Sequence, residues 1–260
     1  MALFMPAHDT VVRIAFDLAA GGSGNFFTLD DPIKGELNDA PFGLAGDILQ
    51  DVTADVRSIV VRRGRSRELD KYQAGALTVD LNNDQRKYDP AAGTAITPYG
   101  ASMRPRKALS VSTAGVPIFS GVVDDWDLQY SLNSDHVASV KGTDGFVFLA
   151  SQEIEPHTAK AQATGAIVSA ILDRSEIAWP AGKRDIDSGI STLQADAVGG
   201  TTNPQPVNAL AYLQQVEASE QGALFIAADG VLRFRDRSGL QILTATKFAD
   251  DGTGIPFTNI

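Results

Sequence analysis

The stretch Ala76-Leu77-Thr78-Val79-Asp80-Leu81 decides how this chain is read. Apolar residues alternate with small or polar ones, so Leu77, Val79 and Leu81 share one face of a strand. The same texture extends in both directions. Val11-Val12-Arg13-Ile14-Ala15-Phe16 lies upstream, and so does the run from Val52 to Val61, built on Val56, Ile59 and Val61. Ala108 to Ser112, Pro117 to Tyr130 and His136 to Lys141 continue the pattern downstream. Turn-forming residues separate these runs at Gly64, Asn82-Asn83-Asp84, Asp89-Pro90, Gly93, Gly115 and Asn133-Ser134-Asp135. They supply positive or fixed φ and side-chain-to-backbone hydrogen bonds. Six or so short strands with regular turns predict an antiparallel barrel or sandwich over residues 1–150. Gly21-Gly22-Ser23-Gly24 and Asp30 to Gly46 read as loops interrupting it.

After Gln152 the pattern changes. Thr164 is placed to cap a helix reaching about Ala178, with Ile167, Val168, Ile171 and Leu172 as its apolar stripe and Pro180 as its stop. Pro206 fits the first turn of a second helix, in which Leu210, Leu213 and Glu217 alternate with Ala209, Tyr212 and Val216, and Gly222 suits its left-handed end. Ala223 to Ala227, the Asp229-Gly230 turn and Val231 to Phe234 predict a hairpin. Residues 151–248 therefore read as a smaller α+β domain, and the whole chain as mainly β.

The 260 residues carry 22 Lys and Arg against 32 Asp and Glu, a net charge of −10. That balance repels a phosphate backbone and argues against general nucleic-acid affinity. The chain has no cysteine, which excludes disulfides, thiolate nucleophiles, Cys-ligated zinc and iron–sulfur clusters. Met1 to Thr10 has neither a basic region nor a long apolar core of the secretory kind. The longest uncharged apolar-rich stretch, Ala161 to Leu172, is far short of the roughly 18–20 residues that span a bilayer. A soluble protein of a reducing compartment is expected, with no membrane insertion.

Catalytic and metal patterns are weak. His8, His136 and His157 are scattered. Gly21-Gly22-Ser23-Gly24-Asn25 misses the nucleophile elbow at Asn25, and Phe27 stands where a dinucleotide loop needs its third glycine. Asp80, Asn82 and Asp84 start like a calcium loop, but the glycine and the closing glutamate are missing. Asp124, Asp125 and Asp127 surround Trp126, yet neighbours on a strand point to opposite faces and do not converge. No enzyme activity, metal or cofactor is expected. The one local charge feature is basic. Arg57, Arg62, Arg63, Arg65, Arg67 and Lys71 face only Glu68 and Asp70, a local net of +4 in an acidic chain. Arg62, Arg63, Arg65 and Arg67 are the candidate subunit-interface residues, because basic groups on one copy can meet the acidic surface of the next.

The order and spacing of several short motifs carry a resemblance. They are Gly64-Arg65-Ser66-Arg67-Glu68-Leu69-Asp70, Ala74-Gly75-Ala76-Leu77-Thr78-Val79, Leu81-Asn82-Asn83, Tyr88-Asp89-Pro90, Pro98-Tyr99, Met103-Arg104-Pro105 and Pro117-Ile118-Phe119-Ser120-Gly121-Val122-Val123-Asp124-Asp125-Trp126. Together they resemble the N-terminal part of minor tail proteins of long-tailed phages, the tail-tip or baseplate hub group, related in fold to the hubs of contractile tails. A weaker match runs through Glu220-Gln221-Gly222-Ala223-Leu224-Phe225 and Asp229-Gly230-Val231-Leu232-Arg233-Phe234 to Ile255-Pro256-Phe257.

The resemblance implies tail-tube-like β-barrels assembled into a ring that caps the tail tube. The ring sits between the distal tail protein and the tip or fibre proteins, in the virion, after assembly in the bacterial cytoplasm. Such hubs are usually trimers with two barrels per subunit. Members of the group continue past Ile255-Pro256-Phe257 into a second barrel, so residues 249–260 read as a connection toward one, and a one-barrel subunit could form a sixfold ring instead. An acidic inner wall would let viral DNA pass without binding it. The alternatives are a hexameric distal tail or tube-like adaptor and, from another class, a host-wall hydrolase or carbohydrate-binding tail module.

Overall fold

The computed structural model describes residues 9–16, 48–65, 70–90, 99, 103–132, 136–201 and 204–239. The loops expected at Gly21–Gly24 and Asp30–Gly46, together with His8, Arg67, Gly93, Pro98 and residues 249–260, lie outside the described residues. The chain divides into two compact units. Unit 1 comprises Met1–Ala150 and Phe225–Leu232, and unit 2 comprises Ser151–Leu224 and Arg233–Ile260.

Unit 1 is built on seven antiparallel strands: β1 (Thr10–Phe16), β2 (Ile48–Asp51), β3 (Val56–Arg62), β4 (Ala76–Asn82), β5 (Ala108–Thr113), β6 (Val116–Gln129) and β7 (Val137–Thr143). Their order is β2-β1-β5-β6-β7-β4-β3. The alternation predicted for Leu77, Val79 and Leu81 holds, since all three are buried. They join Val12, Ile14, Phe16, Leu109, Val111, Phe119, Val123 and Val140 in one core cluster. Strands from both halves of the sheet thus turn their apolar faces onto the same interior.

The connectivity forces this sheet to roll. Laid flat, seven strands would hold β2 and β3 about 29 Å apart. The chain passes from Asp51 at the end of β2 to Val56 at the start of β3, a reach of at most about 18 Å when fully extended. Part of that link is a 3₁₀ turn, Thr53–Asp55, which shortens it further. The two edges must therefore curl toward each other. They do not pair: the mainly β, antiparallel architecture expected from the sequence is present as a rolled sheet with a seam, and the barrel is not closed.

Side chains staple the turn at this seam. Val12 N–H donates to Thr53 Oγ1 at 3.0 Å, and Val52 N–H donates to the Val12 carbonyl at 3.0 Å. Asp55 accepts from Lys87 Nζ at 2.8 Å and from the Tyr88 hydroxyl at 2.8 Å. Tyr88 is fully buried, and burial first, then Asp55, pushes its phenol well above the usual range, so it remains a donor. Asp55→Ala should lower stability by about 1–3 kcal/mol, because it leaves that buried hydroxyl unpaired. The shift of the urea midpoint measures this, with Tyr88→Phe as the companion variant that removes the donor as well.

In unit 2 the helices are α2 (Thr164–Leu172) and α3 (Ala209–Glu220); all but the last residue of the short α1 (Phe146–Ser151) belongs to unit 1. Short two-stranded ladders surround them: β8 (Glu153–Ile154) with β14 (Val207–Asn208), β9 (His157–Ala159) with β13 (Asp196–Val198), and β10 (Gln162–Ala163) with β12 (Thr192–Leu193). A three-stranded sheet places β16 (Leu232–Arg235) between β11 (Arg184–Ile186) and β15 (Ala223–Ile226). Ile167, Val168, Ile171 and Leu172 form the buried face of α2, as their spacing predicts.

The helix ends differ from the sequence reading. Thr164 does not cap α2; its hydroxyl donates to Glu220, while the N–H groups of Thr164 and Gly165 reach the carbonyls of Ser191 and Ser188. The helix stops at Leu172 rather than Ala178, because the chain turns through Ala178 at φ 45° and Trp179 N–H closes onto the Leu172 carbonyl. α3 begins after Asn208, whose Oδ1 accepts from Ala211 N–H at 3.0 Å, rather than at Pro206. Its left-handed residue is Gln221, not Gly222. Gly222 meets a different need: a Cβ there would lie 2.3 Å from the Arg235 carbonyl oxygen.

Candidate inter-subunit surface

The basic cluster begins on the edge strand β3 and continues into the segment after it. Strand alternation sends Val56, Ile59 and Val61 toward the core and Ser58, Val60 and Arg62 outward. Arg62 is exposed at the end of that edge. Arg63 is turned inward within unit 1: its guanidinium donates to the Ile118 carbonyl at 3.0 Å and the Ile226 carbonyl at 2.8 Å. Arg65 lies over the Tyr72 ring at 5.2 Å, and that ring leans on Phe225 at 5.0 Å. The cluster therefore splits, with Arg62 outward and Arg63 and Arg65 engaged inside the unit. Arg67 lies outside the described residues.

The other charged motifs serve the sheet. Asp80 accepts from Ser58 Oγ at 2.7 Å and Ser139 Oγ at 2.5 Å, tying β3, β4 and β7 together across their outer face. Those two hydrogen bonds hold its carboxyl below the usual carboxylate range. Asn82 Oδ1 accepts from Arg57 at 3.0 Å and from Asp84 N–H at 3.0 Å, and Asp84 accepts from His136 N–H at 3.1 Å. The calcium-like letters thus form a strand-end turn knitted by protein donors. A bulge between Val123 and Asp125 shifts the register of β6, so that Asp125 faces Lys141 and Asp127 faces Ser139. His157 pairs with the Glu155 carbonyl at 3.0 Å. Among the described residues no group of three His, Cys, Asp or Glu side chains is placed to hold a metal ion.

Neither tryptophan is free to form a stacking platform. Trp126 packs with Phe16, Tyr88 and Tyr99 in an aromatic group, its ring 5.9 Å from Phe16 and 6.0 Å from Tyr88. Trp179 Nε1 donates to the Lys183 carbonyl at 2.9 Å. Unit 1 exposes apolar side chains at several places, among them its edge strands. Leu49 on β2 is 44% exposed and Val60 on β3 is 50% exposed, while Tyr130 and Leu132 project beyond the end of β6. Half-exposed apolar residues on edge strands mark surfaces that other chains can cover. The reading from sequence singled out the arginines but missed these edges, since Leu49 belongs to a strand too short to show a period.

A rolled antiparallel sheet, filled by its own side chains and exposing apolar residues on its edge strands, is the architecture of this protein. Comparison with solved structures finds a similar fold in phage tail proteins, the group that the motifs resemble. The 43 kDa tail protein of prophage MuSo2 from Shewanella oneidensis matches with a TM-score of 0.50 and 17% identity, over 73% of this chain and 52% of that one. The tail protein from Neisseria meningitidis MC58 matches with a TM-score of 0.49 and 11% identity, over 87% of this chain and 51% of that one. An E. coli type VI secretion system component, described as structurally similar to the T4 bacteriophage tail proteins gp27 and gp5, matches with a TM-score of 0.43 and 13% identity, over 63% and 42%. The chain spans about half the length of the first two of these proteins and less of the third. No protein-family profile matches the sequence, and no curated protein matches it.

Proposed function

We propose that this chain is a structural subunit of a phage tail tip, part of a trimeric hub ring that caps the tail tube and joins it to the distal tail protein and the tip or fibre proteins. The observation that carries this reading is the fold shared with the Shewanella tail protein over 73% of the chain. The seam between β2 and β3 supports it, because both edge strands present an apolar residue for a neighbouring copy to cover. Arg62, at the exposed end of β3, is the interface arginine, with Arg63, Arg65 and Arg67 as the other candidates that follow it in the chain. Its role is to orient and speed the encounter with an acidic neighbour.

In such a ring the chain works through interfaces and carries out no catalysis. Viral DNA passes through the lumen without binding, since an acidic wall, in keeping with the net charge of −10, offers a polyanion few counterion-releasing contacts. The virion tail is the site of action, reached after assembly in the host cytoplasm. Among the described residues no helix is long and apolar enough to cross a membrane.

Arg62→Glu tests the interface directly. Sedimentation velocity on the full-length protein should show self-association weakened about tenfold, with an unchanged circular dichroism spectrum. Unchanged association would remove Arg62 from the interface. Incubation with purified peptidoglycan addresses the hydrolase alternative, and release of soluble fragments would overturn the structural reading.

A further inference from the structure

Helix α3 sets Tyr212, Gln215, Val216 and Ser219 at spacings of three, four and seven, and therefore on one face. Across from them runs the segment Leu193–Asp196. Leu193 is paired with Gln162 in one ladder and Asp196 with Ala159 in another, so Gln194 and Ala195 bridge a step between the two. Between the helix face and this bridge lies an open cavity of about 380 Å³, wholly within unit 2. Ile167 from α2 and Val216 from α3, both almost completely buried, give it an apolar floor.

The chemistry of the walls is specific. Gln194 and Gln215 bring two primary amides, Asp196 a carboxylate and Tyr212 a half-buried phenol, and no Lys, Arg or His lines the cavity. Burial, and after it the charge of Asp196, raises the phenol above its usual range, so it stays neutral and can both donate and accept. Amide N–H groups donate to hydroxyls, and carboxylate and amide oxygens accept from them. An apolar floor and an aromatic ring suit the C–H face of a sugar. An anionic ligand finds no cation here and meets Asp196. The volume falls at the small end of the roughly 300–1,000 Å³ range of ligand pockets, which limits the occupant to one or two rings.

We propose that this cavity is a binding subsite for a neutral saccharide, held by Tyr212, Asp196, Gln194 and Gln215. The inference does not depend on the ring assembly of unit 1, since every lining residue belongs to unit 2. A shallow site of this size implies dissociation constants on the order of millimolar.

Titration of the full-length ¹⁵N-labelled protein with maltose, lactose and N,N′-diacetylchitobiose, each to about 20 mM, tests this. At least one sugar should shift amides of Leu193–Asp196 and Tyr212–Ser219 in a saturable manner, and glucuronic acid should bind at least tenfold more weakly. Tyr212→Ala should weaken binding about tenfold or more, and Gln215→Ala, at an exposed residue of the same cavity wall, provides a second variant if the first fails to fold. The proposal is overturned if none of the three sugars shifts these amides. It is equally overturned if binding survives in the folded variants, or if trilysine binds there more tightly than any sugar.

Discussion

Gly121→Ala should unfold unit 1 at a far lower denaturant concentration than the parent chain, with a loss of about 3–5 kcal/mol. Gly121 lies on β6 opposite Leu109 of β5. A Cβ at this position would stand 2.1 Å from the Thr143 carbonyl oxygen of β7 and 2.9 Å from the Phe119 ring. Neither neighbour can retreat easily. β7 is held on its far side by β4, where Thr143 pairs with Ala76, and Phe119 is fully buried in the core. Gly115→Ala is the matching control. Gly115 has φ +78° in the β5–β6 turn with open space around it, so alanine there costs only the backbone strain, about 1–2 kcal/mol. Urea unfolding of both variants measures the difference, and equal losses would show that strand crowding at Gly121 is relieved by movement of β7.

Glu220→Ala should damage unit 2 to a similar degree. Glu220 ends α3 with its side chain fully buried. Its carboxylate accepts from Thr164 Oγ1 at 2.7 Å, from Ser191 N–H at 2.8 Å and from Ile190 N–H at 3.2 Å, joining α3 to the start of α2 and to the loop before β12. Alanine leaves these donors without their acceptor, a loss of about 3–5 kcal/mol. Burial pushes this carboxyl's pKa up, but the hydrogen bonds from Thr164, Ser191 and Ile190 together outweigh burial and hold it below the ordinary value of 4.5. A depressed folded pKa means that the contribution is complete above the unfolded value and disappears as pH falls through the folded one. Unit 2 should therefore weaken below about pH 4.5, and Glu220→Gln should flatten that part of the profile. Trp126→Phe leaves Trp179 as the reporter of unit 2 for this measurement. An acid profile unchanged by Glu220→Gln would assign the pH dependence to other carboxylates such as Asp185, which Arg235 holds low.

How much of this was legible beforehand depended on whether the determining contact was local. The period-two runs on β4, β5 and β7 predicted the buried faces, because each of these strands buries one side and that pattern is written within a few residues, whereas β1 buries Ala15 as well as Ile14 and Phe16. Strand order is not local. β2 and β3 are separated by only four residues yet form opposite edges of the sheet, so the seam and its Asp55 staple had no signature in the chain. Arg62 and Arg63 are adjacent and chemically identical, and only the carbonyls of Ile118 and Ile226 distinguish them. Glu220 reads as a solvated helix residue until Thr164, 56 positions earlier, is found beside it. The cavity was hidden in the same manner. Tyr212 and Gln215 lie on a helix that the sequence marks, but the opposing wall comes from Leu193–Asp196, where strands of two and three residues are too short to show a period.

Cryo-electron microscopy of the full-length protein, alone and mixed with candidate tail-tube and distal tail proteins, tests the assembly role most directly. Closed threefold rings are expected, with the β2 and β3 edges and Arg62 buried at the seams between copies and an open central channel. A sixfold ring would replace the hub with a tube-like adaptor. A protein that stays monomeric in every mixture, with Leu49, Val60 and Arg62 still facing solvent, would contradict a tail-ring function altogether.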